Sequence, residues 1–237
     1  MRDSVLTAIT ITGGAGQLAL CLKPYFPYAD YPTKRELNVA DAASCKAYFS
    51  THSAALVIHL AAETAHDAPA ESYIMNNVVG TANITLWSKR IGARLVYTST
   101  DYVYPGIEGS YSETDGVRPI GVYATSKYAG ECAVALHPNA LTIRGSWYSR
   151  LDWPSAALDA FSSRQPVEQA AGQVATLACS LATGVVNIGG PRRSLFEVIA
   201  TEFNPRVAPC ARRDLRLPYE LPHDVSLNCD RARALLG

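Results

Sequence analysis

The sequence has no net charge to offer: 21 Lys and Arg balance 21 Asp and Glu across 237 residues. A basic surface for nucleic acid or for an anionic membrane is therefore not indicated. No apolar run is long enough to span a bilayer. Cys21, Cys45, Cys132, Cys179, Cys210 and Cys229 are scattered without a C-x-x-C pair. That spacing fits reduced, packed thiols better than a disulfide framework or a zinc site, so no metal is expected. Internal repeats and low-complexity linkers are missing too. Met1-Arg2-Asp3 leads into a strand-like segment without the regions of a signal peptide, and a cytoplasmic protein is the expectation.

What remains is enough chain to bury a full core, most simply one α/β domain with a small appendage. Val5–Thr12 is β-branched and apolar and runs into Gly13-Gly14-Ala15-Gly16-Gln17-Leu18. A strand that opens through glycines into a helix is the phosphate-binding turn of a dinucleotide fold. Its glycines admit the pyrophosphate to the backbone, and the helix start supplies N–H groups. A second strand is expected near Tyr28–Pro32. The offset that marks the adenosine ribose then falls on Thr33-Lys34-Arg35. Two cations there suit the 2′-phosphate of NADP, while nearby Asp30 leaves NAD open.

Further along, Asp41 reads as an N-cap, and Ala55–Leu60 as a buried strand that ends in small Ala61 and Ala62. His59 within it is expected to be a core histidine. Glu71–Arg90 reads as one long helix carrying Asn76 and Asn77, and Ala93–Thr98 as the fourth strand. Pro119–Leu136 is the next helix and Ala140–Ile143 the fifth strand, with Gly145–Tyr148 at its end. Strands alternating with helices predict a doubly wound parallel sheet of Rossmann type. Residues 1–147 form the dinucleotide-binding domain in this scheme, and 148–237 a small C-terminal substrate lobe interleaved with the sheet. In that lobe Pro154–Arg164 is expected to be helical, Val185–Ile188 a strand and Ser194–Phe203 a helix capped by Ser194. Arg212, Arg213 and Arg216 read as a solvated surface.

The chemistry centres on Tyr123 and Lys127, four residues apart and so on one helix face. An ammonium near a phenol is expected to lower the phenol's pKa toward the range of an acid–base catalyst. Ser99-Thr100-Asp101-Tyr102, at the end of the fourth strand, brings hydroxyls to the same sheet edge.

TGGAGQL at 12–18, LAAETAHD at 60–67, ARLVYTSTDYVYPG at 93–106, VYATSKYAGE at 122–131, IRGSW at 143–147 and NIGGPRRSLFEVIA at 187–200 occur in the order of a known family. The sequence resembles the extended short-chain dehydrogenase/reductase superfamily, and within it the dTDP-4-dehydrorhamnose reductase group. The resemblance implies NADP(H)-dependent reduction of the 4-keto group of a nucleotide-linked deoxysugar. Tyr123 would protonate the oxygen, Lys127 would hold the nicotinamide ribose, and Thr100 would be the hydroxyl member of the catalytic set. It further implies cofactor contacts from Gly13, Gly16, Gln17, Leu18, Lys34, Arg35, Asn38, Val39, Ala61, Ala62 and Asn76. Thr100, Tyr102 and Trp147 would face the substrate.

The chain departs from the family at Asn38, where Asp is usual, and at Gly145, where Thr is usual. The region after Trp147 is shortened by a few dozen residues, with Glu168–Gly172 standing for a reduced proline-threonine segment. Two alternatives stay open: an NAD-dependent epimerase or dehydratase on the same scaffold, and a non-catalytic cofactor-binding subunit like the regulatory subunit of methionine adenosyltransferase. A serine hydrolase lacks its G-x-S-x-G elbow. The expected partner is a nucleotide sugar, not nucleic acid or membrane, and a homodimer is compatible with it.

Overall fold

A computed structural model describes residues 8–65, 67–151 and 153–237. Val5–Thr7 of the first expected strand and His66 lie outside them. The chain runs β1 (Ile9–Thr12), α1 (Gln17–Leu22), α2 (Ala42–Thr51) and β2 (Leu56–His59). Next comes α3 (Ala70–Tyr73), which continues through a π-helical stretch, Ile74–Val79, into α4 (Gly80–Arg90). β3 (Arg94–Thr98), a 3-10 turn (Asp101–Val103), α5 (Gly121–Val134) and β4 (Ala140–Arg144) complete the first part. The central sheet has the order β1-β2-β3-β4-β9, all parallel, with β9 at Gly184–Asn187.

Side chains alternate across this sheet with the period of a strand. Ile11, Ile58, Val96, Leu141 and Val186 face one layer, where α1 meets α6 (Val167–Cys179) through Leu18, Ala19, Leu22, Ala170, Ala171 and Val174. Val57, Leu95 and Tyr97 face the other, against Cys45 and Phe49 of α2, Ile84 of α4 and Val134 of α5. Helices on both faces are what a parallel sheet requires.

The strand expected at Tyr28–Pro32 shrinks to one parallel bridge, Asp30 to Thr10, on the free edge of β1. Ile11 N–H donates to Asp30 O and Asp30 N–H to Ile9 O, both over 2.8 Å. Pro32 has no N–H with which to continue the ladder. The chain thus leaves β1 for Asp30 on one side and returns to β2 on the other. That reversal is the topological switch point, where ligands lie beyond the strands' carboxyl ends.

The C-terminal segment corrects several expectations. Pro154–Arg164 is extended, not helical: β6 (Ser155–Ala157) pairs with β11 (Ala208–Cys210), and β7 (Phe161–Ser162) with β10 (Arg193–Ser194). Pairing partners far along the chain override the local pattern there. Trp147 and Tyr148 do not extend the fifth strand but form a separate β5, parallel to β8 (Gln165–Pro166). Glu168–Gly172 lies inside helix α6. Ser194 caps α7 (Leu195–Glu202) in a full capping box with Glu197. α8 (Asp230–Leu236) packs on α6 and β9. No helix among the described residues is long and apolar enough to cross a membrane.

Candidate active site

A cavity of about 510 Å³ opens at the switch point. Its floor is the glycine turn. Gly13 sits at φ +72°, and a Cβ there would lie 2.9 Å from the Ala61 backbone. A Cβ on Gly14 would come within 2.5 Å of the Tyr31 carbonyl oxygen. The turn is pressed against β2 and the Tyr31 segment so closely that only glycine fits. No side chain caps α1 at Gly16, so the N–H groups of its first turn stay available beside the cavity. Thr12 Oγ1 accepts from the backbone N–H groups of both Leu60 and Ala61, at 3.2 Å each, and fixes the opposite wall. A glycine cradle, an uncapped helix start and a cavity of ligand size fit a dinucleotide.

Of the residues expected at the site, Gly13, Gly16, Gln17, Leu18, Lys34, Asn38, Val39, Ala61, Ala62, Asn76, Tyr123, Lys127 and Trp147 line this cavity. Arg35, Thr100 and Tyr102 are not in its wall. Arg35 is exposed on the turn beside it. Thr100 Oγ1 is buried, accepting from Tyr102 N–H and donating to Asp101 Oδ1, each over 3.2 Å. Tyr102 packs with Ala124 and Val225 and borders a separate void of about 20 Å³ with Arg164 and Pro222.

Tyr123 and Lys127 do share one face of α5. Lys127 is buried, and that burial holds its ammonium down to about 7, with Glu131 opposing the shift. The Tyr123 phenol moves against expectation. Burial, then the nearby Asp101 carboxyl and Tyr73, push it above the ordinary phenol value rather than below. Desolvation outweighs any help from a lysine that is itself destabilised as a cation. Tyr123 is therefore a neutral phenol near pH 7, the form that can give up a proton.

Four polar residues behind this pair were not singled out for a role from the sequence. Asn77, on the π-helical stretch, accepts from Glu63 N–H at 2.7 Å and donates to Glu63 O at 3.0 Å and to Ser126 Oγ at 2.8 Å. Ser126 Oγ in turn donates to Tyr123 O over 2.7 Å. One buried amide thus ties the cavity wall to the Tyr123 helix. A π-turn amid helix is a recurrent mark of functional sites, but its register cannot be read from the residues. Asp101 is fully buried, its carboxyl raised by burial while Ser146 Oγ, donating to Oδ2 at 2.6 Å, opposes that shift. The Ser99 hydroxyl is buried at the cavity wall without a hydrogen-bond partner.

Fold and cavity together define a Rossmann-type protein of the extended short-chain dehydrogenase/reductase class. Residues 7–188 match the family described as RmlD substrate binding domain, and the chain belongs to that family. It is 41% identical over 102 residues to a dTDP-4-dehydrorhamnose reductase of Mycobacterium tuberculosis, covering 39% of this chain and 33% of that one. It is 36% identical over 111 residues to methionine adenosyltransferase 2 subunit beta of Xenopus tropicalis, covering 46% and 33%. Its matches thus span only 30% to 53% of the length of these curated relatives. The fold superposes on a dTDP-4-dehydrorhamnose reductase of Bacillus anthracis solved in complex with NADP, with TM-score 0.86 and 24% identity over 96% of this chain and 92% of that one.

Proposed function

We propose that the protein is a nicotinamide-dependent reductase, NADP(H) its cofactor, that reduces the 4-keto group of a nucleotide-linked deoxysugar. The observation that carries this is Tyr123 and Lys127 meeting Trp147 at one cavity with the glycine turn. When bound, a reduced nicotinamide supplies the hydride. The glycine turn and the first turn of α1 hold the pyrophosphate, Lys34 with neighbouring Arg35 favours a 2′-phosphate, and Asn38 and Val39 flank the adenine. Lys127 and Asn76 hold the nicotinamide end, where Ala61 and Ala62 leave room.

Tyr123 gives its proton to the substrate oxygen as the carbonyl carbon accepts hydride, so an alcohol forms and the phenolate is reprotonated from solvent. The neutral phenol described above suits this direction. Thr100 fixes Asp101 and the turn behind the carbonyl, and Trp147 packs on the sugar. Residues 148–237 supply the substrate side, in a cytoplasmic enzyme. The test is direct: incubate the chain with NADPH and a dTDP-linked 4-keto-6-deoxy sugar and follow loss of the dihydronicotinamide absorbance. Turnover supports the reductase; NADPH binding with no turnover of any keto sugar nucleotide rejects it.

One alternative has its own support. Similarity to methionine adenosyltransferase 2 subunit beta, with only about 20 Å³ of space beside Tyr102, favours a cofactor-binding subunit. Such a subunit would bind dinucleotide without needing the Tyr123 hydroxyl.

A further inference from the structure

Glu131 lies one turn beyond Lys127 on α5, so the two side chains share a face of that helix. Its carboxylate is buried and gripped from the end of β4. Arg144 Nε donates to Oε1 at 3.0 Å and Nη2 to Oε2 at 2.6 Å. Arg144 is held in turn. Its Nη1 donates to the Tyr104 hydroxyl at 3.0 Å, its guanidinium sits 5.0 Å from the centre of that ring, and Tyr104 donates to Asn187 Oδ1 at 2.9 Å. Arg144 and Asn187 are register partners at the ends of β4 and β9. This chain ties the Tyr123 helix to two strands of the sheet, and none of its members lines the cavity.

Anchoring a helix does not require an ion pair, since apolar residues of similar size do as well in a core. The groups around Lys127 show what this pair adds. From β2 and β3 the lysine meets His59, which burial keeps neutral, and the Tyr97 ring. Asn77 and Thr81, on the neighbouring helical stretch, carry no charge. Tyr123 on its own helix is a neutral phenol, and the Asp101 carboxyl acts on that phenol. Tyr128 flanks Glu131 and Arg144 as another neutral phenol. Glu131 is the group whose charge favours the Lys127 cation. Resting on the Tyr123 and Lys127 site proposed above, we infer that Glu131 is a positioning residue of the reaction: clamped by Arg144, it is the fixed counter-charge that keeps Lys127 an ammonium. That ammonium then faces the phenolate left when Tyr123 gives up its proton.

The experiment follows the lysine side-chain carbon resonances of the full, ligand-free chain by NMR against pH, with Lys127 assigned by its loss in Lys127→Met. Removing one partner of the pair strands a buried charge, so both are replaced together, Glu131→Leu with Arg144→Met. The Lys127 midpoint should fall by about one pH unit, the low end of the effect of one neighbouring charge. Glu131→Gln, which keeps an oxygen for Arg144, should move it the same way and carries the test if the double variant does not fold. Turnover of a dTDP-linked 4-keto-6-deoxy sugar with NADPH should drop several-fold at pH 7 and recover as the pH is lowered. An unchanged midpoint, or a loss of turnover equal at every pH, would overturn the role of Glu131 and leave it a brace for the helix. No turnover by the unmodified chain would reject the reductase and, with it, any part of Glu131 in the reaction.

Discussion

Lys127 Nζ lies 4.3 Å from the centroid of the Tyr97 ring, and both side chains are buried. The Tyr97 hydroxyl also donates to Lys127 O at 3.2 Å, so one tyrosine supports both ends of the lysine. A ring face stabilises a cation, yet burial dominates and the ammonium is held down to about 7 from 10.5. Between those values the folded chain binds fewer protons at this site than the unfolded chain. Stability should therefore rise with pH across the window, be present in full above 10.5, and be lost as pH falls to about 7. Urea unfolding of the ligand-free chain at several pH values should show that rise, and Lys127→Met should flatten it. An unchanged slope in the variant would mean that the lysine is not its source.

His59 gives a second pH dependence, in the acid range. Its ring nitrogens meet Thr12 Oγ1 at 2.7 Å and Thr81 Oγ1 at 3.1 Å, and full burial lowers its pKa from 6.5 to about 3. The folded chain keeps it neutral while the unfolded chain protonates it. Stability present above pH 6.5 should thus be lost as pH falls toward 3. His59→Gln, which keeps a donor and an acceptor but does not titrate, should lose part of that acid sensitivity. Acid unfolding monitored by circular dichroism would decide it.

Asn77 should act on catalysis through Ser126. Asn77→Ala leaves the half-buried Glu63 N–H without its acceptor, at about 1 kcal/mol of stability. It also frees the Tyr123 helix from the cavity wall, and a misplacement near 1 Å can cost about 10²-fold in rate. Turnover should fall more than cofactor affinity. Ser126→Ala should have a smaller effect of the same kind, and the double variant should be little worse than Asn77→Ala alone. Additive losses would show that the two residues act separately.

Much of this was legible from local pattern. The turn at Gly13–Gly16, the N-caps at Asp41 and Ser194, and the alternation of strands with helices are short-range signals, and the structure shows each. β6 and β7 were not legible, because their two- and three-residue ladders depend on partners about thirty to fifty residues away. Helix α6 is not assigned from the sequence, where Glu168–Gly172 is matched to a reduced proline-threonine segment. The phenol's shift is not legible for a different reason. Spacing gives the neighbour Lys127 but not the desolvation of the phenol or the nearby Asp101, which together push it up.

Trp147 lines the cavity while packing at the edge of the larger core. Trp147→Ala should therefore raise the KM for the carbonyl substrate several-fold and leave dinucleotide affinity nearly unchanged. Its stability cost should fall below the roughly 3–5 kcal/mol of a fully buried aromatic. Thermal unfolding and steady-state kinetics on one preparation would separate the effects. Loss of dinucleotide binding would place the indole against the cofactor instead.

The sharpest test is Tyr123→Phe. The change keeps the ring, which stands edge-on to Tyr73 with centroids 6.4 Å apart, and removes only the hydroxyl. Tyr123 is half-buried at the cavity wall, and a hydrogen-bonding hydroxyl is worth about 1 kcal/mol net, so fold and dinucleotide binding should survive. If Tyr123 gives the proton, turnover should fall by about 10² to 10⁴, the range for a positioned general acid. Asp101→Asn supplies the complement. The Asp101 carboxyl is one of the groups that raise the phenol's pKa, so neutralising it should move the alkaline limit of the pH–rate profile to lower pH. That limit should be absent from whatever activity Tyr123→Phe retains. A Tyr123→Phe chain with full reductase activity would eliminate the tyrosine as donor, and the shift in Asp101→Asn would then have no group to report.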